Sequence, residues 1–332
     1  MNMIKLKDNY FIVKRAGINS TFQDLGRKNL NHIGIPVSGA MDKRNHTLSN
    51  ALLKKNLDAP TIEFAYQGPF LIFSGDKIFI VVTGDVKFQI IKKNKEIING
   101  ETYKVYMIEN NDQIDIQSTY NSVYGYLSIS ENFLLEKTWG SYSTNTKAQI
   151  GSNDGKKLSN NQKIIIENKN INSSLLSLNY LNSKIEFIRV IKSINFNYFS
   201  EKAKEIFFSK KFKVTNLLDR MGMRLEGNKL ENIIDTNIKS EGLVKGVVQV
   251  PSDGNPIIML ADHGTIGGYP KIANVITADF DKLSQMAPGS YLKFKEVTLD
   301  EAQKLYKFYN LETNNLINQI SWACYIRYPD IF

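Results

Sequence analysis

Ile78-Phe79-Ile80-Val81-Val82-Thr83 follows the turn signal Ser74-Gly75-Asp76, and this run decides the fold class. It is rich in Ile and Val, whose branched side chains pack well on a pleated surface and lose freedom in a helix. Its length suits a strand and is far below a membrane span. Further apolar segments at 88–91, 102–108, 113–117 and 123–129 follow at short spacing. Asn99-Gly100 and Asn110-Asn111-Asp112 break the chain between them. Many short strands in succession predict a barrel or sandwich and argue against a βαβ sheet.

Helical patterns are few. One covers 41–53, with Asp42 placed to cap it and Leu48, Ala51 and Leu52 on one face. Others cover 199–208 and 299–308, and 281–286 reads as a single short turn before Pro288. The chain has 332 residues, which suggests two domains. The Asn/Ser-rich stretch 168–184 is the linker candidate, and a strand is expected just before it at 163–167. The expected division is 1–184 and 185–332. A weak echo supports it: Asp24-Leu25-Gly26-Arg27 has a counterpart in Asp219-Arg220-Met221-Gly222, as two related barrels would give.

Composition narrows the function. The single cysteine, Cys324, excludes an internal disulfide framework and argues against a cysteine zinc site. The net charge is +9, but the lysines are scattered and no nucleic-acid motif accompanies them, so no nucleic-acid partner is expected. The start of the chain lacks the apolar core of a signal peptide, and a cytoplasmic protein without a membrane partner is expected. His32, His46 and His263 lie too far apart in sequence to suggest a metal site.

Three clusters carry polar groups in settings that glycine and proline would fix. The first is Asp24, Arg27, His32 and Asp42, around Gly34, Pro36 and Gly39. The bland alternative is that Asp24 and Arg27 tie a loop down. The second is 219–227. In a strand, Arg220, Gly222, Arg224 and Glu226 would share a face, and two arginines suit a carboxylate or phosphate. The bland alternative there is a cross-strand ladder of surface ion pairs. The third follows the apolar run 257–261: Asp262-His263-Gly264-Thr265-Ile266-Gly267-Gly268-Tyr269-Pro270-Lys271. Gly267 and Gly268 can expose backbone N–H groups to an oxyanion, and His263 can act as acid or base. The alternative is a structural histidine. The loop is not a P-loop, since GxxxxGK[ST] is absent.

These residues carry a family resemblance. Thr21-Phe22-Gln23-Asp24-Leu25-Gly26-Arg27, then Gly34-Ile35-Pro36-Val37-Ser38-Gly39-Ala40-Met41-Asp42, resemble the opening of the biotin-dependent carboxyltransferase family. That family includes the C-type subunit of 5-oxoprolinase, also called allophanate hydrolase subunit 2 or KipA-like protein. Ile62-Glu63, Gly140-Ser141, Asp219-Arg220-Met221-Gly222, Gln249-Val250-Pro251, Gly267-Gly268-Tyr269-Pro270 and Gln285 follow in family order. Departures fall near 130–132 and 192–195, and at Gly264 and Ile266, where the family tends to have Gln and Thr.

The resemblance implies a mainly β chain with a few helices, built as two cyclophilin-like β-barrel domains. It implies the C-type subunit of an ATP-dependent 5-oxoprolinase, a hydrolase opening 5-oxoproline to glutamate. Two partner subunits would join it, a KipI-like one (B-type) and a LamB/YcsF-like one (A-type). The substrate would be a small amide or lactam, and the cofactor ATP bound in the complex. One alternative is a carboxyltransferase subunit of a urea-type carboxylase, with biotin. Another is a non-enzymatic KipA-like regulator of a KipI-like kinase inhibitor. The catalytic candidates are His263, Asp262, Arg224 and Asp24. The substrate-binding candidates are Arg27, Arg220, Gly267, Gly268, Tyr269 and Lys271.

Overall fold

A computed structural model describes residues 9–168, 173–181, 187–234 and 237–322. Cys324, the first eight residues, the 184/185 boundary and part of the expected linker lie outside the described residues.

The chain is mainly β. Its α-helices among the described residues are α1 (Lys43–Leu52), α2 (Glu201–Ser209), α3 (Phe280–Ser284) and α4 (Leu299–Asn318). The first half forms two antiparallel sheets. One runs in the order Lys163–Ile166, Asn9–Arg15, Phe70–Ser74, Gln113–Thr119, Val86–Ile91, Ile97–Asn99. The other runs Thr21–Gln23, Thr61–Ala65, Tyr124–Ile129, Ile78–Thr83, Val105–Ile108. Phe11, Phe73 and Ile114 of the first sheet meet Phe22, Ile62 and Leu127 of the second in one core. Ile78–Thr83 is buried at every position. Ile78, Ile80 and Val82 face that core, while Phe79 and Val81 pack against Leu48 and Leu52 of α1. A strand covered on both faces has no use for alternation, which explains its continuous apolar run.

The second half closes as a seven-stranded barrel, in the order Ile188–Lys192, Lys271–Val275, Val247–Gln249, Ile257–Met259, Gly222–Glu226, Lys211–Leu218, Tyr291–Glu296. Phe207 of α2 stacks on Phe294 of the barrel with ring centroids 4.3 Å apart.

The two halves share a core. Ala40, Met41, Tyr124 and Tyr126 from the first half belong to the same buried cluster as Ile188, Phe212, Leu260 and Phe294. Polar contacts stitch the seam. Asp42 caps α1, accepting from Asn45 N at 2.9 Å, as its position predicted. Asp281, from the second half, accepts from Lys43 N at 3.0 Å and Arg44 N at 3.1 Å. Those N–H groups have no partner within the helix, so the second half completes the cap that the first half begins. Gln285 adds four bonds. Its Oε1 accepts from Val123 N and Tyr124 N, and its Nε2 donates to Asp42 and to Tyr124 O.

Helix α4 outruns the expected 299–308 by ten residues. Thr298 and Glu301 form a capping box at its start, and Arg44 of the first half bonds Tyr309 O, Thr313 and Glu312 beyond residue 308. Tertiary contacts of this kind stabilise a polar helical stretch whose own pattern is weak. No helix among the described residues is long and apolar enough to cross a membrane.

Candidate functional site

Strand pairing builds the centre of the site. In the first half, Glu63 sits opposite Tyr126 in register, and also opposite Thr21. Asp24 stands just past the end of Thr21–Gln23. In the second half, Gly222 pairs with Met259, which brings Arg220 and Asp262 together at the ends of their strands; Asp262 N donates to Arg220 O at 2.8 Å.

Arg220 is the knot, only 5% exposed. Its Nε donates to Asp262 Oδ2 at 2.8 Å, and its Nη2 to Asp262 Oδ1 at 3.0 Å and Gly39 O at 2.7 Å. Its Nη1 donates to Glu63 Oε1. Glu63 Oε2 accepts from Met41 N and from the Tyr126 hydroxyl, each at 2.7 Å. Tyr126 in turn accepts from Asp42 N at 2.7 Å. Burial opposes the charge of Arg220, but Asp262 and Glu63 outweigh it and hold the pKa above its ordinary value. Gly39 has φ +86°, and a Cβ there would lie 2.8 Å from Leu25 C, so only glycine lets this loop bring its carbonyl to Arg220.

Asp24 and Arg27 lie beside this knot. Asp24 accepts from Ser141 Oγ at 2.6 Å, Ser143 Oγ at 2.5 Å, Tyr142 N at 2.6 Å and Gly26 N at 2.9 Å. Burial would raise its pKa, but these donors lower it overall. Arg27 is 2% exposed and donates from Nη2 to Ser143 O at 2.6 Å, while its Nε and Nη1 are buried without a hydrogen-bond partner. Burial lowers its pKa, with Asp24 and Asp262 opposing. A buried guanidinium with idle donors is costly unless something completes its bonding, so Arg27 is a candidate anion or oxyanion contact. His263 is buried, with Nδ1 2.6 Å from Gly264 O. A carbonyl only accepts, so Nδ1 carries the proton and Nε2 presents a lone pair. Burial holds the His263 pKa below its ordinary value, which keeps that lone pair available.

The structure therefore brings together Asp24, Arg27, Arg220 and Asp262, with His263 next in sequence. The other candidates stand apart. Arg224 does not share a face with Arg220. The strand begins at Gly222, with Met223 and Leu225 buried and Arg224 and Glu226 exposed. Lys213 pairs with Glu226 across the strands at 3.0 Å, so the surface-ladder alternative describes this face. Gly267, Gly268, Tyr269 and Lys271 gather around a second polar group. Gln249 Nε2 donates to Tyr269 O at 3.2 Å, and Lys271 is buried against Glu241. A Cβ on Gly267 would meet Gln249 Nε2 at 2.7 Å. Among the described residues, no hydrogen bond or ion pair joins this loop to Arg220, Asp262 or Asp24. His32 is exposed in a short 3-10 turn.

Sequence reasoning misses Glu63 and Tyr126 as site residues. In Thr61–Ala65, Glu63 stands between Ile62 and Phe64, and every residue of that strand is buried. The signal for Glu63 is its place in the family motif, not its local pattern.

A two-part β fold with one closed barrel and a buried Arg–Glu–Asp knot at the seam defines the class, and comparisons agree. A sequence profile of the carboxyltransferase domain, subdomain A and B, matches residues 33–296. The chain belongs to this family. It is 35% identical to the C-type subunit of 5-oxoprolinase from Haemophilus influenzae over 286 residues, covering 86% of this chain and 91% of that protein. The Escherichia coli protein of the same name is 27% identical over 312 residues, covering 93% and 96%. The urea amidolyase of Saccharomyces cerevisiae is 25% identical over 311 residues, covering 87% of this chain but 17% of that protein. The crystal structure of Kluyveromyces lactis urea amidolyase shares the fold, with a TM-score of 0.84 and 24% identity over 96% of this chain and 21% of that one. The chain thus spans nearly all of its 5-oxoprolinase relatives and about a fifth of that structure.

Proposed function

We propose that this chain is the C-type subunit of an ATP-dependent 5-oxoprolinase. It would work in the cytoplasm with a KipI-like and a LamB/YcsF-like partner to open 5-oxoproline to glutamate. The observation that carries the reading is the 35% likeness to a protein named as that subunit, across nearly the full length of both. Residues 1–184 and 185–332 would be its two cyclophilin-like barrels.

The chemical problem is a planar N–C=O unit. Resonance makes its carbon a weak electrophile, so a site must stabilise negative charge growing on oxygen and move a proton at nitrogen. Arg27 has the idle donors for the first task. His263 Nε2 has the lone pair for the second. Arg220 is bonded on all three nitrogens, so its role is to position Asp262, Glu63 and the Gly39 loop. Asp24 holds the 141–143 segment that Arg27 leans on. The sequence has no GxxxxGK[ST] loop. ATP would be bound in the assembled complex.

The test is co-expression with the candidate partners, followed by measurement of glutamate released from 5-oxoproline with and without ATP. Release that requires both ATP and this chain supports the reading. Release that is unchanged without this chain overturns it. The urea amidolyase likeness favours a second reading, a carboxyltransferase unit serving urea or a similar acceptor with biotin carried elsewhere. Carboxyl transfer from carboxybiotin to urea, without glutamate release, would select it.

A further inference from the structure

Lys245 stands in the turn that enters the barrel strand Val247–Gln249, and it is half-buried. Its Nζ lies 3.4 Å from the centroid of the Phe280 ring. Among the described residues it makes no hydrogen bond and no ion pair. A ring face attracts an ammonium but gives its N–H groups no lone pair to donate to. Phe280 opens α3, and its neighbour Asp281 accepts from Lys43 N at 3.0 Å. Phe280 and Asp281 thus draw Lys245 of the second half and Lys43 of the first toward one point of the seam.

The backbone ties Lys245 to the candidate site as well. Gly246 N donates to Met259 O at 2.8 Å, and Leu260 O accepts from His263 N at 3.3 Å. Lys245 therefore lies beside the segment that ends at Asp262 and His263, close enough for its charge to act on His263. Burial pushes the pKa of Lys245 down to about 7; Lys43 and Arg220 add to the push, and Asp281 and Glu63 oppose it. The carboxylates near it are already bonded. Asp281 accepts from Lys43 N, Arg44 N and the Tyr309 hydroxyl. Glu63 accepts from Met41 N, Tyr126 and Arg220, and Asp262 from Arg220. The cations Arg27, Lys43, Arg220 and Lys245 outnumber these three carboxylates. What Lys245 lacks is an anion that can reach its N–H groups.

The substrate's own shape says where such an anion would lie. 5-Oxoproline carries its carboxylate on the ring carbon next to nitrogen, on the side away from the lactam carbonyl. Arg27 suits the carbonyl oxygen and His263 Nε2 suits the ring N–H, which leaves the carboxylate unanswered on the His263 side. We propose that Lys245 anchors the carboxylate of the lactam acid beside His263. The inference rests on the function proposed above and names the group that selects an acid over a neutral amide at that site.

The test uses the intact chain assembled with its partners. Calorimetric titration compares 5-oxoproline with 2-pyrrolidinone, the same ring without the carboxylate. Lys245→Met should weaken 5-oxoproline binding about tenfold or more, the loss of one charge-assisted bond, and raise its KM by a similar factor. It should leave 2-pyrrolidinone binding within about twofold of wild type, since that ring offers Lys245 no charge. The variant should unfold at or above the wild-type temperature, and Lys245→Gln gives the same comparison if the methionine variant does not fold. Unchanged 5-oxoproline affinity, an equal loss for both ligands, or no saturable 5-oxoproline binding by the wild-type complex overturns the assignment. In the first two cases, continued glutamate release leaves the function standing. A selective loss in a complex that releases no glutamate supports the anchor and removes the function.

Discussion

At the residue scale, the seam depends on one guanidinium. Arg220 answers two buried carboxylates, Glu63 and Asp262, which are 1% and 4% exposed. Removing it strands both charges, and breaking a buried ion pair from one side costs about 3–5 kcal/mol. Arg220→Met should therefore lose on the order of 3 kcal/mol or more in chemical denaturation. Arg220→Met combined with Glu63→Gln should recover part of it. A single variant as stable as wild type would mean the charges are answered elsewhere. Arg224→Met, on the exposed barrel face, should stay within about 0.5 kcal/mol. Both arginines stand out in the sequence, but nothing there ranks them. The turn at Asp219–Met221, in which Met221 N and Gly222 N donate to Asp219 Oδ1, breaks the alternation that would have put them on one face.

At the element scale, α1 is tied to both halves. Its first turn takes carboxylates from each, and its middle carries His46, fully buried edge-on to Tyr126. Burial pushes the His46 pKa down to about 4, with Asp24 and the backbone of Gln23 and Ala59 opposing. A folded pKa below the ordinary value of 6.5 means the unfolded chain binds the proton more readily. The stabilising contribution is whole above pH 6.5 and is lost as pH falls toward about 4. Relative to His46→Leu, wild type should lose on the order of 3 kcal/mol across that window, followed by denaturation at several pH values. Parallel pH profiles for the two proteins would contradict it. The helix itself was legible: Asp42 as cap and Leu48 and Leu52 as its buried stripe are where the 3.6-residue period puts them. Its second cap was not, because Asp281 lies 239 positions later in the chain (281 minus 42) and no local pattern encodes that contact.

At the scale of the whole molecule, the strands were readable because β-branched runs and Asn-Gly breaks are local signals. The joint between the halves was not, because its makers look local. Glu63, Tyr124, Tyr126 and Gln285 meet partners far along the chain, and no local pattern encodes those contacts. The shared core, with Tyr124 and Tyr126 beside Leu260 and Phe280, makes independent unfolding of the halves expensive. One cooperative transition is expected, with circular dichroism and tyrosine fluorescence coinciding; two resolved transitions would refute a common core.

In the proposed enzyme, the early Asp/Arg loop and the Arg220–Asp262 knot act as one buried site, and the idle donors of Arg27 meet the substrate. The direct measurement is steady-state turnover of 5-oxoproline by the assembled complex carrying Arg27→Gln, with folding checked by denaturation in parallel. The expected result is a fall in kcat of at least about tenfold with a stability change of less than about 1 kcal/mol, since the lost group was under-bonded. Wild-type turnover in a folded Arg27→Gln complex would contradict it.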